Sequence, residues 1–175
     1  MQYLARKIQR SRWEEKLQAD PEDVAADAVT SDLRTQGQTL SVWECGATED
    51  EMREIVLALA CVMKGSDSMD LVLLDVNVLD SADVPIRRTP SNTPVVALNS
   101  RHTDLVELTL TRLGVVARHI ADKVRSDTNC REFRKKEVRD IVIKAVHERR
   151  VRVESLKKEW QEEIQGLRYD GMESR

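Results

Sequence analysis

The sequence predicts an α/β protein, with an α+β arrangement as the alternative, and three observations predict it. Leu71-Val72-Leu73-Leu74 and Pro94-Val95-Val96-Ala97-Leu98 are continuous apolar runs of strand length. Thr39 to Cys45 alternates apolar with polar residues. Two amphipathic helical patterns are set among these segments. The predicted architecture is a small mixed four-stranded sheet flanked by helices, followed by a long amphipathic C-terminal helical arm. The boundaries implied are an α/β domain over 1–128, an arm over 129–168 (one long helix or a helical pair) and a flexible tail over 169–175.

Taken in order, Tyr3 to Ile8 forms a short opening strand. Asp20 to Arg34, rich in Asp and Ala behind Pro21, holds a short helix or an ordered loop. Thr39 to Cys45 is a half-buried strand. Thr48-Glu49-Asp50-Glu51 matches a capping box, in which the threonine hydroxyl accepts from the N–H of Glu51 and the glutamate reaches back. Behind it Met52, Ile55, Val56, Leu59, Val62 and Met63 fall at helical spacing as far as Gly65. Leu71 to Leu74 has no polar face and implies a strand covered on both sides. Pro85, Pro90 and Pro94 mark an irregular stretch, and Pro94 to Leu98 is a further buried strand. Asp104 with Glu107 forms a second capping box, or Thr103 supplies the cap. Val106, Leu110, Leu113, Ala117, Ile120 and Val124 then line one face of a helix. Strands joined through a helix are expected to run parallel with right-handed crossovers.

Of the 175 residues, 41% are hydrophobic and 34% charged, more charge than the roughly 25% of ordinary domains. Aromatic residues make up 3%, so Leu, Val, Ile and Ala must build the core, and a base-stacking nucleic-acid platform lacks its rings. Cys45, Cys61 and Cys130 are far apart and form no CxxC or Cys/His cluster, which implies buried free thiols and neither a metal site nor a disulfide framework. No cofactor is implied. The first residues form no apolar leader, and no uncharged run approaches the roughly 18 residues of a membrane span, so a cytoplasmic location without membrane contact is expected.

Charge is unevenly placed. Residues 131–152 carry nine Arg or Lys against four Asp or Glu, within a chain of net charge −3. Arg134, Lys135, Lys136 and Arg139 are the candidates for phosphate contact, although interleaved Glu132, Glu137, Asp140 and Glu148 oppose it. The bland alternative is a solvated face, or one that pairs with acids of the body. From Cys130 to Gln165 there is no Gly or Pro, and apolar residues recur at three-and-four spacing with an interruption near Arg149 to Arg152. An arm of that length reaches on the order of 50 Å, beyond a body roughly 30 to 40 Å across. Its stripe therefore implies a protein partner or a second copy of the chain, with Val142, Val153, Leu156 and Trp160 as contact residues.

Two short constellations bear on chemistry. Leu73-Leu74-Asp75-Val76-Asn77-Val78-Leu79 resembles the opening strand of PIN-domain ribonucleases, in which an apolar strand ends in an aspartate that helps hold a divalent metal. The resemblance implies Asp75 as a metal ligand and Glu107 as a second acid. The segment departs from that family in placing Val76 where Thr is usual and in lying seventy residues into the chain. Arg101-His102-Thr103-Asp104, between a predicted strand and a predicted helix, is a candidate anion site with His102 as acid or base. His119 and His147 are expected to be structural and surface residues respectively. Taken together, the sequence favours a non-catalytic accessory or adaptor subunit acting through its C-terminal helices. The alternatives are a small metal-dependent nuclease or other hydrolase near Asp75, His102 and Glu107, and a nucleic-acid-binding regulator using the basic helix.

Overall fold

Four successive apolar side chains in a strand demand cover on both sides. The computed structural model, which describes residues 2–17 and 23–170, supplies it. Six strands are formed: β1 (Tyr3–Ile8), β2 (Leu40–Cys45), β3 (Met69–Asp75), β4 (Ile86–Arg88), β5 (His102–Leu105) and β6 (Cys130–Phe133). They lie in the order β4-β5-β2-β1-β3-β6, and every neighbouring pair is antiparallel. Met69, Leu71 and Leu73 face one helical layer, and Val72 and Leu74 face the other, as the period-2 geometry of a strand dictates.

The first layer contains α3 (Glu49–Ala60), α6 (Lys135–His147) and α7 (Lys158–Asp170). The second contains α1 (Arg10–Leu17), α2 (Ala26–Asp32), α4 (Val76–Ser81) and α5 (Leu110–Ser126). Helix α3 starts as its sequence predicts, with Thr48 as N-cap accepting from Glu51 N at 3.3 Å. It buries Met52, Ile55 and Val56 against the sheet.

Several expectations are corrected. The sheet has six strands, not four, and its neighbours are all antiparallel. The strands joined by α3, β2 and β3, do run in the same direction, but both pair with β1, which lies between them. Residues 94–98 do not form a strand. Val96–Arg101 is a 3₁₀ turn, with Val96 79% exposed. Asn99 explains it: its Oδ1 accepts from Ser91 Oγ at 2.8 Å and from Thr93 N at 2.9 Å. Its Nδ2 donates to Thr93 O at 3.1 Å, which closes the segment as a loop. The strand falls instead on His102–Leu105, within the segment expected to cap a helix. There Thr103 Oγ1 donates to Arg87 O at 2.6 Å. The cap of α5 is Thr109, whose side chain accepts from Arg112 N at 3.3 Å, and Leu110 is 89% exposed.

The long C-terminal arm is also corrected. Residues 130–133 add β6 beside β3, so the chain enters α6 already held at the sheet edge. Helix α6 then stops in a Schellman arrangement, with Arg149 N donating to Val146 O at 3.0 Å and Arg150 N to Ala145 O at 2.9 Å. This is the interruption legible near Arg149 to Arg152. Val151 and Leu156 are buried in the connection, and α7 returns over α3. Residues 171–175, part of the expected tail, lie outside the described residues. So do residues 18–22, part of the segment predicted from Asp20.

Trp160 is 0% exposed, and its Nε1–H donates to Ala60 O at 3.0 Å, which fastens α7 to the end of α3. Trp160→Ala removes a large buried ring and should lower stability by about 3–5 kcal/mol in urea unfolding. A loss below about 1 kcal/mol would contradict this packing.

Candidate functional site

The sheet register decides whether the predicted catalytic residues meet. Asp75 ends β3 opposite Tyr3, which lies opposite Cys45, so Asp75 sits at the end of the sheet where β5 begins with His102. Two strands, β1 and β2, separate them, which puts their backbones about 14 Å apart. Glu107 follows Leu105, which pairs with Leu40 at the opposite end, so it lies about 20 Å further along the strand direction. Asp75 and Glu107 therefore cannot share an ion. No group of three or more His, Cys, Asp or Glu that could hold a metal occurs among the described residues.

Each of the three has local work. Asp75 caps α4, its Oδ1 accepting from Asn77 N at 2.9 Å. His102 lies 2.6 Å from Thr89 O through Nδ1; a carbonyl only accepts, so Nδ1 carries the hydrogen. Its ring stands edge-on to Trp43 with centroids 5.0 Å apart. Glu107 adopts a left-handed backbone conformation (φ 53°), and its carbonyl accepts from Arg112 Nη1 at 3.0 Å. Helix α5 starts at the sheet end remote from Arg101, which separates the two halves of the predicted anion site.

His119 is the histidine with a defined buried role. Its Nε2 accepts from Asp75 N at 3.0 Å, tying α5 to the end of β3. Burial, opposed by Asp75 and Asp122 and reinforced by Lys123, lowers its pKa below the ordinary histidine value. Burial likewise pushes the Cys61 thiol up to about 12 and the Cys45 and Cys130 thiols up to about 11, so none is a nucleophile at neutral pH.

A further cluster had no sequence signal beyond residue type. The Asp32 carboxylate accepts from Gln9 N at 2.7 Å and Trp13 Nε1 at 2.8 Å, while Arg6 donates to the carbonyls of Asp32 and Ser41. These bonds pin α1 and α2 to β1 and β2. Helix α1 itself carries too weak an apolar face to be read from spacing.

The predicted partner-binding residues are placed inside. Val142, Leu156 and Trp160 are buried, and Val153 packs half-buried against the same core. What faces solvent on this side is charge. Arg131 contacts Glu49 and Glu137, and Arg53 bonds the same two acids, at 2.6 Å and 3.3 Å, closing a four-residue ring between α3 and the start of α6. These arginines, Arg53 first, hold the Glu49 carboxyl below its usual range. Arg150 pairs with Glu54, and Lys136 with Asp140 at 3.2 Å. Arg134, Lys135, Arg139, Arg149 and Arg152 have no carboxylate partner among the described residues. Arg139 Nε is also a buried donor without an acceptor there.

The chain matches no family model, no curated protein and no solved structure. No helix among the described residues is long and apolar enough to cross a membrane.

Two outcomes follow. Because the folded pKa of His119 is lowered, its bond contributes stability above the unfolded value near 6.5, and that contribution fades as pH falls through that value and below it. The melting temperature should therefore drop more steeply between pH 7 and 5 in the wild type than in His119→Gln; equal slopes would contradict the assignment. Asp75→Ala should lose about 1 kcal/mol as a cap, whereas Asp75→Asn, which keeps the acceptor, should lose only a few tenths in the same unfolding assay.

Proposed function

We propose that the chain is a non-catalytic accessory subunit that binds a partner protein, and that solvent-facing cations of residues 134–152 make the contact. This keeps the protein–protein reading of the C-terminal segment but moves it from the apolar stripe, which packs on the chain's own core, to the opposite face.

One observation carries it. Arg149 occupies the left-handed position that ends α6, at φ 60°, where glycine is the residue without steric penalty. An L-side chain there costs about 1 kcal/mol, and this side chain has no acid partner among the described residues. Backbone strain retained together with an uncompensated charge supports selection for contact rather than for folding. Arg152, Arg134 and Lys135 extend the same positive surface along α6.

An acidic protein surface suits these cations better than a nucleic acid. Glu132, Asp140 and Glu148 stand among them and would repel a continuous phosphate backbone, whereas a protein can place its carboxylates between them. The nucleic-acid reading uses the same residues and is separated by salt. Phosphate contacts make log affinity for a duplex fall linearly and steeply with log salt.

Arg149→Gly should leave the fold as stable as wild type or more so, by up to about 1 kcal/mol. Combined with Arg152→Gln, it should weaken binding to a partner identified by co-purification from the native host by at least tenfold in titration calorimetry. Unchanged affinity in the double variant would overturn the proposal. Tight, salt-steep duplex binding without any protein partner would replace it.

A further inference from the structure

We infer that the cleft between α3 and α6 is the seat for a glutamate side chain of that partner, which rests on the basic-surface reading and names its chemistry. The cleft has a volume of about 270 Å³. Leu57, Ile141 and Ala145 form its floor, and Lys144, Glu148 and Arg150 stand at its mouth.

The mouth is incompletely bonded. Lys144 Nζ lies 3.8 Å from one oxygen of Glu148, and Arg150 Nη1 lies 3.9 Å from the other. Both separations exceed hydrogen-bonding range. Arg150 is anchored through Nη2 by Glu54, which fixes the guanidinium and leaves Nη1 pointing at the gap. Two cations are thus held around one carboxylate that reaches neither. A second carboxylate entering between them makes the two charge-assisted bonds that Glu148 leaves unmade.

The apolar floor determines what carries that carboxylate. A two-methylene stem lies over Ile141 and Leu57 while its head stays at the mouth, the way long charged side chains cover apolar surface. A phosphate fits poorly, because its extra negative charge meets Asp50, Glu54 and Glu148 around the same opening. The occupant is therefore a glutamate-rich segment of the partner protein, not a nucleic-acid backbone.

The test uses the full chain, methyl-labelled at Ile, Leu and Ala, titrated with octaglutamate, with octalysine and a single-stranded oligonucleotide as comparisons. Octaglutamate should move the Ile141 and Ala145 methyl signals saturably, and the other two probes should not. Lys144 is solvent-facing, so Lys144→Gln should fold normally and weaken octaglutamate binding at least tenfold. If Lys144→Gln binds as wild type while the Arg149→Gly, Arg152→Gln variant is weakened, the cleft assignment is overturned and the basic-surface reading stands. If only Lys144→Gln weakens binding, the cleft stands and that reading falls. Absence of binding to wild type, or stronger movement of these methyls by the oligonucleotide, overturns both.

Discussion

The structure depends on a sheet that no part of the chain can leave open to water on either face. Leu71 to Leu74 are all fully buried, as are Leu4 and Ala5 on the neighbouring strand, with side chains directed alternately to both sides. At roughly 25 cal/mol per Å² of apolar surface, exposing either face would cost more than a small domain's whole margin of stability. Two helical layers are therefore obligatory. One is supplied by α1, α2, α4 and α5, and the other has only α3 until the C-terminal helices arrive. The stripe of Val142, Leu156 and Trp160 completes that second layer, so the chain consumes the surface that its length alone implied was left over.

This explains what could be read from the sequence. Strands β1, β2 and β3 and helix α3 carry strong local signals: continuous or alternating apolar residues, and a Thr48 cap. The short strands carry none. Ile86–Arg88 and Cys130–Phe133 are edge strands whose charged residues blunt the open edge, and the same residues hide the strand pattern. Residues 94–98 have β composition, yet Asn99 makes side-chain bonds that a local pattern cannot anticipate. The site candidates fared similarly. Asp75, His102 and Glu107 each have a plausible chemical type, but only the register shows that the sheet keeps them apart.

The charge division along the sequence is largely cancelled in space. The acids at the start of α3 suit its positive end, and Glu49 meets Arg131 while Glu54, one turn on, meets Arg150. The basic segment thus splits into cations that hold α6 against α3 and cations that hold nothing. A sum over residues sees one patch, whereas the fold distinguishes structural charge from available charge. Arg149 belongs to the second group and stands where the helix would otherwise end on glycine.

The position of β1 has a consequence for biosynthesis. The strand made first lies in the middle of the sheet, between partners that end at Cys45 and Asp75. As the polypeptide leaves the ribosome, Tyr3–Ile8 must wait for one edge and then the other, its greasy residues open meanwhile to chaperones. Losing those six residues would divide the ladder into a β4-β5-β2 fragment and a β3-β6 fragment with nothing to join them.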